Sequence, residues 1–176
     1  MSNAGSDPKR AVVVGSSFAG LTAAFELRKR LDPGVEVVVI EPREKFTFIP
    51  SLIWVPFGMR EPDDVTFDLE PVYTKKGIRF INEAAKGFDL AAQTVTTTGG
   101  QEVSYDSLLL ATGPRLAFEK IDGLGPHGGY TQSVCNLDHA LITRDAWQAF
   151  LKDPGLVVVG TAQGGSCFGA SYEFTL

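Results

Sequence analysis

The chain has 176 residues, with 16 Lys and Arg against 21 Asp and Glu, a net charge of −5. That length holds one domain, or one domain and part of another. The acidic balance excludes the basic footprint of a nucleic-acid binder. Two cysteines make no disulfide framework, no apolar run approaches the roughly 18 residues of a membrane span, and no signal-peptide pattern is present.

Met1-Ser-Asn-Ala reads as an expression remnant outside the fold. The organising stretch comes next. Ala11 to Val14 is a short apolar run that predicts a buried parallel strand. A glycine turn follows, then an amphipathic helix with Phe18, Leu21 and Phe25 on one face and Glu26, Arg28, Lys29 and Arg30 around the other. Strand, glycine turn and helix N-terminus together form an anion site, because unpaired N–H groups and the helix dipole face the same point. The dinucleotide fingerprint G-x-G-x-x-G is filled as Gly15-Ser16-Ser17-Phe18-Ala19-Gly20, with Ser17 in place of the middle glycine. Serine is small enough for that place, and its hydroxyl can donate to phosphate.

Asp32-Pro33-Gly34 ends the helix, and Val35 to Glu41 is a second buried strand ending in an acid. Glu41 lies about 20 residues past Gly20, where a carboxylate accepts from the ribose hydroxyls of an adenine dinucleotide. Pro42 and Arg43 follow it, and Arg43 is expected to face the dinucleotide. The stretch to Gly58, which includes Pro50 and Ser51, is apolar and proline-rich. It either packs on the sheet or covers a flat cofactor ring. Val65 to Lys76 predicts a short helix at least up to Pro71, and Ile78 to Ile81 a third strand. Ala84 to Ser104, turning at Gly99-Gly100, reads as a β-meander attached to the main sheet. Ser107 to Ala111 is a fourth buried strand of the main sheet, running into Thr112-Gly113-Pro114 at the edge that carries Gly15 and Glu41.

Arg115 to Tyr130 is loop-like, and Asn136 to Leu151 predicts a helix ended by Asp153-Pro154-Gly155. Leu156 to Gly160 then repeats the opening pattern as a strand leading to Gly160-Thr-Ala-Gln-Gly-Gly165, a turn at Gly164 and Gly165, and a helix starting at Ala170. The expected architecture is α/β: the N-terminal part of a Rossmann-like domain with parallel sheet and meander over residues 8–115, then a linker and the truncated start of a second dinucleotide-type domain over 116–176. A strand and half a helix cannot bury their own apolar faces, so the chain is expected to be the N-terminal fragment of a longer protein, which either self-associates through Leu156–Leu176 or leaves that segment disordered, and holds FAD weakly.

In this order, Gly15–Gly20, Glu41-Pro42-Arg43, the meander, Tyr105 to Gly113 and the second glycine-rich turn resemble the flavin disulfide reductase superfamily with two dinucleotide-binding domains. Within it, Ser133-Val-Cys-Asn-Leu-Asp-His139 and Gly160 to Glu173 resemble sulfide:quinone oxidoreductases. The resemblance implies a flavoprotein that binds FAD, oxidises sulfide at cysteines and passes electrons to a membrane quinone. FAD-binding positions are then Gly15, Ser17, Phe18, Ala19 and Gly20 in the first turn; Glu41, Pro42, Arg43, Pro50 and Ser51 after the second strand; and Ala85, Ala111, Thr112, Gly113 and Pro114. Cys167 matches the family's redox cysteine in the second turn, and thiolate suits that chemistry because it is soft and readily oxidised. Cys135 matches the family's other N-terminal cysteine, His139 a histidine near the quinone side, and Glu173 a polar link between flavin and quinone sites. No metal is expected.

The resemblance also implies peripheral membrane association of the full-length protein, through segments absent from this chain. A homo-oligomer stays open. So do an NADH:quinone oxidoreductase, a flavocytochrome-type sulfide dehydrogenase and a non-catalytic nucleotide-binding module. The first is disfavoured by the residues carrying Cys167, which crowd the second turn. The second is disfavoured because Glu41 to Phe57 contains no cysteine to hold its flavin.

Overall fold

The computed structural model describes residues 8–162, 164–165 and 168–175. In chain order the elements are β1 (Arg10–Val14), α1 (Phe18–Arg30), β2 (Glu36–Ile40), β3 (Lys45–Thr47), β4 (Thr66–Asp68), α2 (Leu69–Lys76), β5 (Arg79–Ile81), β6 (Ala85–Asp89), β7 (Thr94–Thr97), β8 (Glu102–Ser104), β9 (Ser107–Leu110), α3 (Leu137–Phe150) and α4 (Phe168–Glu173). Short 3-10 turns lie at Ile49–Trp54, Pro62–Asp64 and Phe118–Lys120. The chain divides into two compact units, Met1–Phe46 with Phe67–Arg115, and Thr47–Thr66 with Leu116–Leu176.

The first unit is built on a parallel sheet in the order β5-β2-β1-β9. The apolar runs of β1 and β2 are buried on both faces, as interior parallel strands require. Side chains alternate between those faces. Val13, Val37 and Val39 pack with Ala24 of α1, Leu69 and Tyr73 of α2, and Ile78. Val12, Val14, Val38 and Ile40 pack with Ile81, Val95 and Val103, so the antiparallel meander β6-β7-β8 covers the other face. Each fully buried valine is worth about 1.5–3 kcal/mol of transfer free energy. This sandwich of helices, sheet and meander is the Rossmann-like fold expected from the sequence.

The second unit has a smaller core. Leu52 and Val55, in and just after the Ile49–Trp54 turn, pack with Val65 and with Ala140 of α3. Arg144 of α3 ties the same segment down, donating to the Val55 carbonyl (2.8 Å), the Arg60 carbonyl (2.8 Å) and the Glu61 carboxylate (2.9 Å). The apolar stretch after Arg43 is thus no plain loop. It forms β3 and a 3-10 turn, and its buried members serve as core.

Three expectations need correction. The helix expected from Val65 begins at Leu69, because Thr66–Asp68 pairs as β4 with β3. Pro71 sits in its first turn, where the missing N–H has no intrahelical acceptor to lose. β9 was expected to be buried, but it is the edge strand: Leu109 is 41% and Leu110 58% exposed. The third concerns Leu156 to Gly160, which form no strand, and Leu156 is 91% exposed. Apolar, β-branched residues become a strand only when another strand completes their hydrogen bonds, and among the described residues none pairs with them.

Candidate functional site

Gly15 leaves β1 with φ +102°, a conformation side chains rarely adopt, and its N–H donates to the Ile40 carbonyl at 2.9 Å. A Cβ at Gly15 would lie 2.3 Å from the Ala111 carbonyl oxygen, and one at Gly20 would lie 1.9 Å from the Gly15 carbonyl oxygen. These two glycines let α1 start directly against the turn, and let the turn press on the end of β9. Ser17 caps α1 without a side-chain hydrogen bond to the helix. Its hydroxyl is therefore not spent on the first-turn amides of Phe18, Ala19 and Gly20, which lack intrahelical acceptors. The arrangement fits a phosphate, which such a terminus attracts by dipole and by N–H groups together.

Glu41 follows β2 directly and is 2% exposed. One carboxylate oxygen accepts from the Ser16 amide at 2.7 Å and from Arg43 Nη2 at 3.0 Å. The other accepts from the Arg43 amide at 3.0 Å and from Arg43 Nε at 2.8 Å. Burial pushes this carboxyl up, but the Arg43 guanidinium and the two amides more than offset that and hold it below its ordinary value. Asn82 donates to the carbonyls of Glu41 and Pro42, fixing the backbone there. Pro42 is exposed, as is the side chain of Arg43 at 54%. The Ala111 amide donates to the Val14 carbonyl at 2.7 Å, and exposed Thr112, Gly113 (φ +72°) and Pro114 continue from it. The ends of β1, β2 and β9 thus bring Gly15, Glu41 and Ala111 to the carboxyl edge of the sheet, where open α/β folds take their ligands. Ala85, half-buried, opens β6. An apolar groove of about 550 Å³, lined by Ala23, Leu27, Leu31 and Leu108 among others, includes none of these residues.

In the second unit, Pro50 (exposed) and Ser51 (half-buried) lie in the Ile49–Trp54 turn. Cys135 is an exposed free thiol whose amide donates to Ser133 Oγ at 3.2 Å. Asn136 caps α3 by accepting from the His139 amide at 2.8 Å. His139 is 5% exposed, with Nδ1 3.3 Å from Ser133 Oγ and its ring beside Phe118 and His127. Burial, reinforced by His127, lowers its pKa against the opposing pull of Asp138, which favours the neutral ring. Glu173 is exposed at the end of α4, and Cys167 lies outside the described residues.

The sequence reading missed four contributors. Ser16 was passed over in favour of Ser17, although Ser16 is the serine that touches Glu41. Tyr73 and Asn82 carry no motif. His127 sits in a glycine-rich loop, yet its Nε2 pairs with Asp138 at 3.1 Å, and the ligand atoms of His127, Asp138 and His139 lie within 4.8 Å of one another. Only folding brings Tyr73, Asn82 and His127 to their partners, so no spacing rule could have found those three.

Comparison with known proteins agrees with this geometry. Residues 9–169 match the model of the family described as pyridine nucleotide-disulphide oxidoreductase. A sulfide-quinone reductase of Aquifex aeolicus is 39% identical over 168 residues, covering 96% of this chain and 38% of that protein. A mitochondrial sulfide:quinone oxidoreductase of Dictyostelium discoideum is 28% identical over 163 residues, covering 90% of this chain and 35% of that one. The crystal structure of the Aquifex aeolicus sulfide:quinone oxidoreductase superposes with a TM-score of 0.86 at 38% identity, covering 95% of this chain and 38% of that one. The chain therefore spans well under half the length of the relatives it matches. It belongs to the pyridine nucleotide-disulphide oxidoreductase family, a family of FAD-binding oxidoreductases, and is similar to sulfide:quinone oxidoreductases within it.

Proposed function

We propose that this chain is part of a sulfide:quinone oxidoreductase, which oxidises sulfide and delivers the electrons to a quinone. FAD, when bound, supplies the two-electron relay between them. The observation that carries this reading is the Gly15–Gly20 turn standing over the buried Glu41 carboxylate, in a chain 39% identical to a sulfide-quinone reductase. The first-turn amides of α1 and the Ser17 hydroxyl hold the pyrophosphate. Glu41 would accept from the ribose hydroxyls, and Arg43, paired with Glu41, would face the dinucleotide. Pro42, Ala85 and Ala111 to Pro114 are further FAD-binding positions of the first unit, and Pro50 and Ser51 are those of the second.

Cys167 is the thiol that takes sulfur, and Cys135 is the second and less central one. His139 stands near the quinone side, and Glu173 is a polar link between the flavin and quinone sites. Residues 8–115 supply the N-terminal part of the FAD-binding domain, and 116–176 a linker and the start of a second dinucleotide-type domain. Among the described residues no helix is long and apolar enough to cross a membrane. A peripheral position at the membrane surface suits a quinone substrate.

Anaerobic addition of sulfide to the FAD-loaded full-length protein tests this reading. Sulfide is expected to bleach the visible flavin absorbance and NADH to leave it. Cys167→Ala should keep FAD and lose the sulfide response, with a smaller loss for Cys135→Ala. Bleaching by NADH alone would overturn the reading in favour of an NADH enzyme.

A further inference from the structure

Beneath the phosphate turn lies a polar contact that the proposed chemistry does not use. Tyr73 of α2 is fully buried, stacked on Phe80 with ring centroids 5.4 Å apart and set edge-on to Phe25 at 6.0 Å. Its ring belongs to the apolar core between the helices and the sheet. Its hydroxyl reaches Ser16 Oγ at 2.5 Å, and Ser16 is itself 2% exposed. The Ser16 amide meanwhile donates to Glu41 Oε2. The second residue of the turn is thus pinned at both ends, by an acid at the end of β2 and by a phenol on α2.

We infer that Tyr73 is a positioning residue for dinucleotide binding, holding through the Ser16 hydroxyl the turn that presents the α1 amides to pyrophosphate. This rests on the flavin reading above. The turn needs such an anchor. Gly15 sits at φ +102° with no side chain to fix it, and Ser17 makes no cap bond to α1. Donors aimed at an anion work best when they are held before it arrives, since ordering them afterwards costs affinity. Tyr73 suits the role because its packed ring leaves it little rotamer freedom, and a buried phenol requires a partner. Filling core space alone would need only phenylalanine.

Equilibrium binding of FAD and of ADP, which shares the pyrophosphate, tests this on the full-length apoprotein, alongside its thermal midpoint. Tyr73→Phe is expected to weaken both ligands by about threefold to tenfold, the size of one hydrogen bond. Ser16→Ala should do the same without touching the core ring, and so serves where Tyr73→Phe lowers the yield of folded protein. The double variant should be no weaker than either single within about twofold, because both remove the same bond. A lowered midpoint with unchanged dissociation constants would make Tyr73 a core residue only and overturn the inference. Losses that multiply in the double variant would overturn it too. A wild-type protein that takes up no FAD would overturn the flavin reading along with it.

Discussion

The chain contains the same pattern twice, an apolar run leading into a glycine-rich turn and a helix, with different outcomes. At Arg10–Val14 the run is a buried strand between two parallel partners, and its turn sits over an acid and a tyrosine. At Leu156–Gly160 the run is irregular and largely exposed: Val158 is 84% exposed where Val13 is 0%. The glycines differ in the same way. A Cβ at Gly20 would strike backbone at 1.9 Å, while one at Gly160 meets nothing within 4 Å. A glycine pattern specifies a turn, but the elements packed around that turn make it a site.

Substitutions placed in parallel across the two regions sharpen this contrast. The largest effect is expected from Gly20→Ala, because α1 must move off the turn: about 3 kcal/mol of stability, against less than about 0.5 kcal/mol for Gly160→Ala. Denaturant titration of both variants measures the gap, and equal losses would erase the distinction. Next comes the strand itself. Val13→Ala should cost about 2 kcal/mol through lost burial and the cavity left behind, and Val158→Ala about 0.5 kcal/mol or less.

The smallest of the three effects is electrostatic and varies with pH. The Glu41 carboxyl is held below its ordinary value in the folded protein, so its contribution is present above about pH 4.3 and is lost as pH falls through the folded pKa. Glu41→Gln should therefore be less stable than wild type by about 1–2 kcal/mol at pH 7. That difference should shrink as acid titrates the native carboxyl. Urea unfolding at several pH values reads it directly, and a difference independent of pH would show that the charge contributes nothing.

Much of the first unit was legible in the chain. β1, β2 and the meander follow from apolar runs and the Gly99-Gly100 turn, and Glu41 from its distance past Gly20. Those features are local, or separated by one helix. What escaped was non-local. The exposure of β9 depends on strand order, which no stretch of sequence states by itself. The start of α2 depended on Thr66–Asp68 finding β3 as a partner. Tyr73 reaches the turn across 57 residues, and His127 reaches Asp138 across a loop. The second apolar run misled because β-branched composition signals a strand only where a partner strand is present.

The central claim is that the first glycine turn, and not its repeat, is the seat of the dinucleotide. FAD bound per folded full-length polypeptide, measured at equilibrium for wild type, Gly20→Ala and Gly160→Ala, tests it most directly. Near-stoichiometric FAD in wild type and Gly160→Ala, with little or none in folded Gly20→Ala, is the predicted result. Full FAD retention by folded Gly20→Ala, or its loss in Gly160→Ala, would contradict it.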